Sequence, residues 1–291
     1  MTTDAVAKTP HSEYVSQSQL PRTVIEPSRG WVSLRLGELW EYRELLLFLI
    51  WRDVLIRYKQ TAFGVAWALL QPLFTMVIFS VIFGRLADLP SEGIPYPVYS
   101  YVALLPWQLF AGALQRAGTS LVGNADLLTK VYFPRLVIPI SAVMAGLVDF
   151  TISFVVLLGL MLFYGIVPTW NILWLPVLIV LSLATALGVG LWLSALNVQY
   201  RDVQHAIPFL VQAWMYASPV AYSAGLIPTG IWRIIYGLNP LAGVIQGFRW
   251  ALLGAGPPDE LMVGSVGMVI VLLVTGLFYF RLMERTFADV V

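Results

Sequence analysis

Six long apolar segments constrain what this chain can fold into more than any other feature. A helix needs about 20 mostly apolar residues to cross the hydrocarbon core of a bilayer. Segments of roughly that length or longer lie at residues 65–83, 98–122, 136–164, 172–196, 206–227 and 261–280. Only 11% of the 291 residues are charged, whereas soluble domains carry roughly 25%. The sequence therefore predicts an all-α integral membrane protein with six transmembrane helices.

Residues 228–258, between the fifth and sixth spans, contain two apolar runs that are too short to cross. The runs cover 231–238 and 241–253, and Pro or Gly residues flank both. Short, interrupted pieces of this kind favour re-entrant outer helices. A complete crossing here would make seven spans and would move the C-terminus to the outside.

The distribution of Lys and Arg predicts the orientation of the spans. Eight of the 17 precede the first span, three lie in the second-to-third and fourth-to-fifth connections, and two follow the last span. Three lie on the opposite side. Because cytoplasmic segments are enriched in these residues, both termini are predicted to be cytoplasmic, in a protein of the cytoplasmic (inner) membrane.

Four regions follow from the pattern of polar and apolar residues. Residues 1–30 are polar and aperiodic, which is typical of a disordered tail. Residues 31–62 mix charged and apolar residues, 63–285 contain the transmembrane domain, and 286–291 form a cytoplasmic C-terminus.

The region 31–62 predicts an amphipathic helix ahead of the first span. Its longest apolar run, 45–51, has seven residues, which is too few to cross a bilayer. A helix lying in the membrane interface fits this composition, and an ordinary amphipathic linker is the alternative. Asp53 and Arg57 stand four residues apart, so they can pair along one face.

Several kinds of chemistry have no residues to support them. The chain has no cysteine, two histidines and no phosphate-cradling G-x-x-x-x-G-K-[ST] motif, so thiol catalysis, a His-based metal cluster and an ATP site of this kind are excluded. The net charge of +1 does not point to nucleic acid. The sequence predicts no catalytic residues, no metal and no cofactor held by this chain.

Asp149 is the one clear acid within the predicted spans. An ionisable residue in the membrane is costly and marks a functional site by default; pairing with a neighbouring helix is the alternative. Arg116 is expected near the cytoplasmic end of the second span, where it could snorkel. Small residues four apart, at 142/146, 184/188 and 186/190, predict close helix packing.

Five aromatic residues lie within the first and fifth spans or near their ends: Trp67, Phe74, Trp214, Tyr216 and Tyr222. Aromatic faces can stack on sugar rings, so these side chains could line a glycan conduit. Contact with lipid or packing against other helices is the alternative.

The connection 123–135, GNADLLTKVYFPR, is the loop most typical of a docking element. It is compatible with a helix over 125–132, and Pro134 closes it. Charged residues flank a short apolar face, and an amphipathic helix of this kind can dock into a groove on a partner. A plain connector is the alternative.

Four stretches of the chain carry a family likeness. They are LLLFLIWRDVLIRYKQTAFGVAWALLQPLF at 45–74, NADLLTKVYFPRLVIP at 124–139, LNVQYRDV at 196–203 and the Asn239-Pro240 pair. Together they resemble the membrane subunit of ABC-2 type exporters, in particular the permeases that export polysaccharides such as O-antigen, capsule and teichoic acid. The likeness covers about residues 35–285.

The resemblance implies a homodimer of six-span subunits that works with two copies of a P-loop ATPase subunit. The partner subunits bind ATP and Mg, membrane lipids surround the dimer, and the substrate is a lipid-linked glycan. Residues implied to couple to the ATPase are Asn124, Asp126, Leu127, Leu128, Lys130, Tyr132, Arg135, Arg201 and Asp202. The implied gate helix carries Arg52, Asp53, Arg57, Tyr58 and Lys59, and the five aromatic residues line the conduit.

Three other functions compete with polysaccharide export. An ABC-2 exporter of drugs or small lipids would share the fold. A secondary transporter would need coupling charges near the bilayer midplane and usually shows repeats, and only Asp149 fits. A membrane-embedded glycan-processing enzyme would need outward-facing acids, which are few.

Overall fold

The computed structural model describes residues 36–59, 64–228, 230–257, 260–284 and 287, and these residues form helices and connections without strands. The predicted tail at 1–30 lies outside these ranges, as does the predicted C-terminus at 286–291 except for Phe287. The α-helices in the described ranges are α1 (Leu36–Glu41), α2 (Arg43–Lys59), α3 (Gly64–Phe79), α4 (Tyr96–Gly123), α5 (Ala125–Lys130), α6 (Val137–Met144), α7 (Gly146–Phe163), α8 (Leu175–Gln199), α9 (Val203–Ala217), α10 (Ile231–Gly237), α11 (Pro240–Leu253) and α12 (Glu260–Met283). A π-helix, Ser80–Leu86, extends α3, and a 3₁₀-helix, Trp170–Trp174, leads into α8.

Helices long and apolar enough to cross a membrane confirm the predicted all-α membrane class. Within the described residues there are four, at Leu69–Leu86, Val137–Phe163, Trp170–Gln199 and Glu260–Met283. They coincide with the first, third, fourth and sixth predicted spans. The chain is therefore an integral membrane protein.

The second predicted span, α4, is the central helix and is not among these four. It has 28 residues, which corresponds to about 42 Å at 1.5 Å per residue, but it carries Gln108, Gln115 and Arg116. It packs against α3, α6, α7, α8, α9 and α11. Because neighbouring helices rather than lipid surround most of it, its side chains need not be uniformly apolar.

The fifth predicted span is shorter than the sequence indicates. Helix α9 has 15 residues and ends at Ala217, whereas the apolar pattern continues to 227. Pro219 explains the early end, because a proline disfavours the helical conformation in the residue before it, and Ser218 is extended (φ −108°, ψ 151°). The count of six spans remains a prediction.

Two short helices occupy the stretch between α9 and α12, which the sequence predicts to be outer. Helix α10 has seven residues and α11 has 14, so each is shorter than a span. Asn239 caps α11 by accepting a hydrogen bond from the Leu241 amide, Pro240 occupies the first turn, and Gly254 ends the helix with φ 67°. These are standard start and stop signals. The re-entrant assignment itself remains a prediction.

Glycines bring α8 and α12 into backbone contact. A Cβ added to Gly276 would lie 2.2 Å from the carbonyl oxygen of Gly188, and one added to Gly188 would lie 2.7 Å from the Leu272 backbone. A Cβ on Gly190 would similarly meet the Ala117 side chain at 2.6 Å. The packing role predicted for the small residues at 188 and 190 is therefore confirmed, and close approach of this kind holds membrane helices together.

Helix α2 presents an apolar face outwards. Leu47, Phe48, Trp51 and Ile56 are all more than half exposed, whereas Leu49 is buried. Leu49 joins a hydrophobic cluster with Leu128, Phe133, Phe280 and Phe287. An outward apolar face beside charged groups is typical of a helix in the membrane interface.

Candidate functional site

A cavity of about 840 Å³ opens between α3, α4, α7 and α9. This volume is within the range of ligand-binding pockets, roughly 300–1,000 Å³. Its polar lining consists of Arg57, Gln71, Thr75, Gln108, Gln115, Arg116, Asp149, Ser153 and Gln212. A space with so many polar groups among apolar helices is suited to a polar ligand.

Helical spacing places these polar residues on the cavity wall. Gln71 and Thr75 are four residues apart on α3, and Asp149 and Ser153 are four apart on α7. Residues separated by one or two turns share one face of a helix, and so do Gln108 and Gln115, seven apart on α4. Each helix therefore contributes a narrow polar stripe within an otherwise apolar sequence.

The glutamines of the cavity keep their hydrogen-bonding capacity. Within the described part of the chain, the side-chain amides of Gln71, Gln108, Gln115 and Gln212 have no hydrogen-bond partner; the Thr75 and Thr119 hydroxyls donate to the backbone carbonyls of Gln71 and Gln115, not to their amides. Each amide offers two donors and an acceptor. The four can therefore bind a ligand rich in hydroxyl groups.

A charged cluster around Asp149 forms one edge of the cavity. One Asp149 oxygen accepts a hydrogen bond from the Arg57 guanidinium and lies 3.5 Å from Nη1 of Arg116. The other accepts from the Tyr58 hydroxyl. Of the two alternatives for Asp149, a functional site or pairing with a neighbouring helix, the structure shows pairing. Its partners come from α2 and α4.

Arg116 is turned inwards, so the expectation that it snorkels is wrong. Its Nε donates to the Ala142 carbonyl oxygen at 3.0 Å, and its side chain is 21% exposed. A Cβ on Gly146 would lie 2.2 Å from Nη2 of Arg116. Gly146 thus makes room for a guanidinium group.

Tyr58 is a hydrogen-bond donor over the whole physiological pH range. Partial burial, followed by its hydrogen bond to Asp149, raises the pKa of the Tyr58 phenol to about 12. Both effects disfavour the phenolate, because it would be poorly solvated and would face a carboxylate. Elsewhere on the predicted gate helix, Asp53 accepts a 2.8 Å hydrogen bond from Arg52, and Lys59 is exposed.

The predicted coupling loop has an exposed face and a buried face. Asp126 and Lys130 are exposed and pair at 3.0 Å across one turn of α5. Tyr132 is 79% exposed and Val131 53%. Leu128 is buried and Leu127 is partly buried against the same cluster. A partner could contact the exposed face without disturbing the packing.

Two residues predicted to contact the ATPase form hydrogen bonds to other parts of this chain. Asn124 accepts a hydrogen bond at 2.8 Å from Arg52 of α2. Arg135 donates to the backbone carbonyl of Glu284, and Glu284 also pairs with Arg281 at 2.7 Å. The first residues of the loop are therefore bonded to α2, and its last residue is bonded to the segment that follows α12.

The connection between α8 and α9 also combines exposed charged residues with a buried polar one. Arg201 and Asp202 are exposed. Asn197 is buried, donates to the Gly118 carbonyl oxygen at 3.2 Å and accepts from the Gln204 amide at 3.1 Å. It thus fixes this connection to α4 while the two charged residues remain accessible.

The aromatic residues predicted to line a conduit lie in different places. Phe74 and Tyr216 are each 61% exposed. Trp214 packs against Phe110, and Tyr222 accepts a hydrogen bond from the Tyr236 hydroxyl at 3.1 Å; the Trp67 side chain lies outside the described residues. Among the described residues, the aromatic groups that line the cavity are Trp107 and Phe150. The sequence signal for the cavity was its glutamines, which the aromatic hypothesis overlooked.

Arg249 connects α11 to α4 and to the segment after α9, a role that the sequence analysis also overlooked. It is 3% exposed, and its guanidinium carbon lies 3.8 Å from the Tyr99 ring centroid. It donates hydrogen bonds of 3.0 Å to the carbonyl oxygens of Tyr222 and Val220. An arginine inside the apolar run 241–253 was the signal that could have revealed this role.

These features together define an all-α membrane protein with a polar cavity among its helices and an exposed helical loop at one end. The chain belongs to the ABC-2 type transporter family, whose match covers residues 44–253. It is therefore the membrane component of a transporter.

Curated relatives cover nearly the whole chain. It is 31% identical over 255 residues to the O-antigen export system permease protein RfbA of Myxococcus xanthus, covering 87% of this chain and 97% of the relative. A protein of the same name from Klebsiella pneumoniae is 28% identical, covering 85% and 95%. The polysialic acid transport protein KpsM of Escherichia coli is 25% identical, covering 80% and 91%.

Proposed function

We propose that this chain is the transmembrane permease subunit of an ATP-driven transporter that exports a lipid-linked, O-antigen-like polysaccharide across the cytoplasmic membrane. The observation that carries the proposal is the polar cavity, lined by four glutamine amides that have no hydrogen-bond partner among the described residues. A sugar hydroxyl that enters hydrocarbon without a hydrogen bond costs several kcal/mol. A wall of amides removes that cost, and the relatives named for O-antigen and polysialic acid transport support the choice of cargo.

The proposed assembly is a homodimer with two copies of a P-loop ATPase subunit, which bind ATP and Mg. Both termini and the loop containing α5 face the cytoplasm in this proposal, because Lys and Arg predominate on that side. The exposed Tyr132 and Val131 would meet the ATPase, together with Arg201 and Asp202. The five predicted aromatic residues could complete the conduit where two subunits meet, since Phe74 and Tyr216 are exposed.

The main alternative is an ABC-2 exporter of drugs or small lipids. A relative called inner membrane transport permease YadH of Escherichia coli (strain K12), 26% identical over 218 residues, has a name that specifies no cargo. An apolar cargo would gain nothing from four unpaired amides, so the cavity favours a glycan. A secondary transporter is disfavoured because the carboxylate of Asp149 is already paired with arginines.

Replacing Gln108 and Gln115 together by Leu is expected to lower glycan export about thirtyfold, because two lost hydrogen bonds cost about 2 kcal/mol and 1.4 kcal/mol corresponds to a factor of ten. Surface glycan is measured in cells whose wild-type gene has been replaced. Gln246→Leu, on α11 and outside the cavity, is the matched control and should export normally. Normal export by the double variant, at equal abundance in the membrane, would contradict a glycan path through this cavity.

Charged substitutions on the exposed face of the coupling loop are expected to abolish ATPase binding. Val131→Asp combined with Tyr132→Asp places carboxylates where two large apolar side chains are exposed, and such side chains anchor interfaces. The measurement is co-purification of the ATPase subunit with the permease, with thermal stability of the permease measured in parallel. Thr129→Ala should keep the ATPase, because the Thr129 hydroxyl bonds to the Ala125 carbonyl of its own helix. Retention of the ATPase by the double variant would rule out this docking surface.

A further inference from the structure

Asp149 joins three helices that are distant in sequence. Its carboxylate lies on α7, receives Arg57 and Tyr58 from α2, and lies beside Arg116 of α4. The Asp149 side chain is 28% exposed, that of Arg116 21% and that of Arg57 40%. Hydrogen bonds between charged groups are stronger than those between neutral groups, so this contact can hold α2 in place, although solvent at Arg57 screens it in part.

The last turn of α2 is part of the cavity wall. Arg57, Arg116 and Asp149 all line the cavity, and in the described part of the lining Arg57 is the contribution of α2. The cluster therefore closes the cavity on the side of the predicted gate helix. Separation of Arg57 from Asp149 would open that side.

The same helix also contacts the coupling loop. Arg52 donates to Asn124 at 2.8 Å, and Leu49 shares a hydrophobic cluster with Leu128. Arg52 and Arg57 are five residues apart, about 7.5 Å along a helix. One rigid helical segment thus links the beginning of the coupling loop to the edge of the cavity.

The apolar packing of α2 is confined to its first half. Leu49 is buried and Leu45 and Leu46 pack partly buried against the same cluster, whereas Leu47, Phe48, Trp51 and Ile56 are exposed. An element with few buried apolar contacts can move at low free-energy cost. Polar contacts at Arg52, Arg57 and Tyr58 therefore carry much of its attachment.

From this arrangement we propose that Arg57, Tyr58, Arg116 and Asp149 form a latch that closes the cavity beside α2 and opens when the coupling loop moves. Asp149 acts as a positioning residue, since it holds α2 and does not need to touch the cargo. Movement of Asn124 pulls on Arg52, α2 shifts as a unit, and Arg57 and Tyr58 leave Asp149. The latch rests on the proposed ATP-driven cycle, but it does not depend on which cargo passes.

Spin labels can measure the opening directly, because the chain has no native cysteine. Cysteines are introduced at Lys59 and Thr151, which are exposed and next to the latch without belonging to it. The distance between the labels is measured by pulsed electron paramagnetic resonance in the complex with its ATPase. It is measured without nucleotide and again after trapping with ATP and vanadate. Variants with a single label give the distances between the two subunits of a dimer, so that these can be recognised in the doubly labelled protein. As a second control, labels at Thr119 and Thr151 report whether α4 and α7 stay together.

The expected result is one short distance without nucleotide and an additional longer distance in the trapped complex. Asp149→Asn should produce the longer distance even without nucleotide, whereas Asp88→Asn, in an exposed outer connection, should not. A Lys59–Thr151 distance that stays the same in both nucleotide states would overturn the latch, and so would a wild-type distribution in Asp149→Asn. If the Gln108/Gln115 double variant exported glycan normally while the Lys59–Thr151 distance still lengthened in the trapped complex, the proposed cargo would be rejected and the latch would stand.

Discussion

Arg249→Met is expected to destabilise the protein by at least about 3 kcal/mol, since a hydrogen bond to a charged group contributes about 1.5–3 kcal/mol and a desolvated cation–π contact about 2 kcal/mol. The substitution keeps an unbranched apolar stem and removes the guanidinium. The carbonyl oxygens of Val220 and Tyr222 lose their donor, and the Tyr99 ring loses the cation over its face. Buried carbonyl groups without a donor are costly.

Thermal unfolding in detergent measures this effect. A loss of 3 kcal/mol corresponds to roughly 10 °C in midpoint temperature. Arg85→Met is the matched control, because Arg85 is exposed at the end of the π-helix, and its midpoint should stay near that of the wild type. If both variants unfolded at the wild-type temperature, Arg249 would not hold α4, α11 and the segment after α9 together.

Gly276→Ala is expected to be nearly as damaging, although it adds a single methyl group. Its Cβ would lie 2.2 Å from the carbonyl oxygen of Gly188, and a backbone atom cannot turn away as a flexible side chain can. Helices α8 and α12 must therefore separate. Overpacking typically costs about 1–3 kcal/mol, and separation also removes the contacts on either side of the glycine pair.

Gly267→Ala, on the same helix, is the control for this prediction. No atom lies within 4 Å of a Cβ at Gly267, and alanine favours a helix over glycine by about 1 kcal/mol. The control should therefore be as stable as the wild type or more stable, measured by thermal unfolding of both variants in one detergent. Equal stability of Gly276→Ala and Gly267→Ala would contradict the backbone contact between α8 and α12.

Much of the membrane architecture could be predicted because a span is a local property of the chain. The first, third, fourth and sixth apolar segments each contain enough residues to cross, whatever their neighbours are. The exceptions have physical reasons. Helix α4 is surrounded by other helices and so tolerates Gln108, Gln115 and Arg116, and Pro219 ends α9 well before the apolar pattern ends.

The candidate site was less predictable, because its parts are distant in sequence. Asp149 was recognisable as an unusual acid, but its partners Arg57 and Tyr58 lie more than 90 residues away. The conduit hypothesis chose aromatic residues by type, whereas the cavity is lined by amides whose common feature is the face of the helix they occupy. Arg135 was assigned to the ATPase by its position in the loop, yet it binds Glu284 at the end of α12.

The sequence by itself determined that this is a helical membrane protein with charged segments that do not span. Any sufficiently long apolar helix is stable in lipid. The membrane class can therefore be predicted without knowing which helices are in contact. Only the tertiary structure decided which polar side chains meet. The cavity, the cluster around Asp149 and the position of Arg249 each require three or more separate elements to converge, because a buried charge or amide is stable only beside the groups that satisfy it.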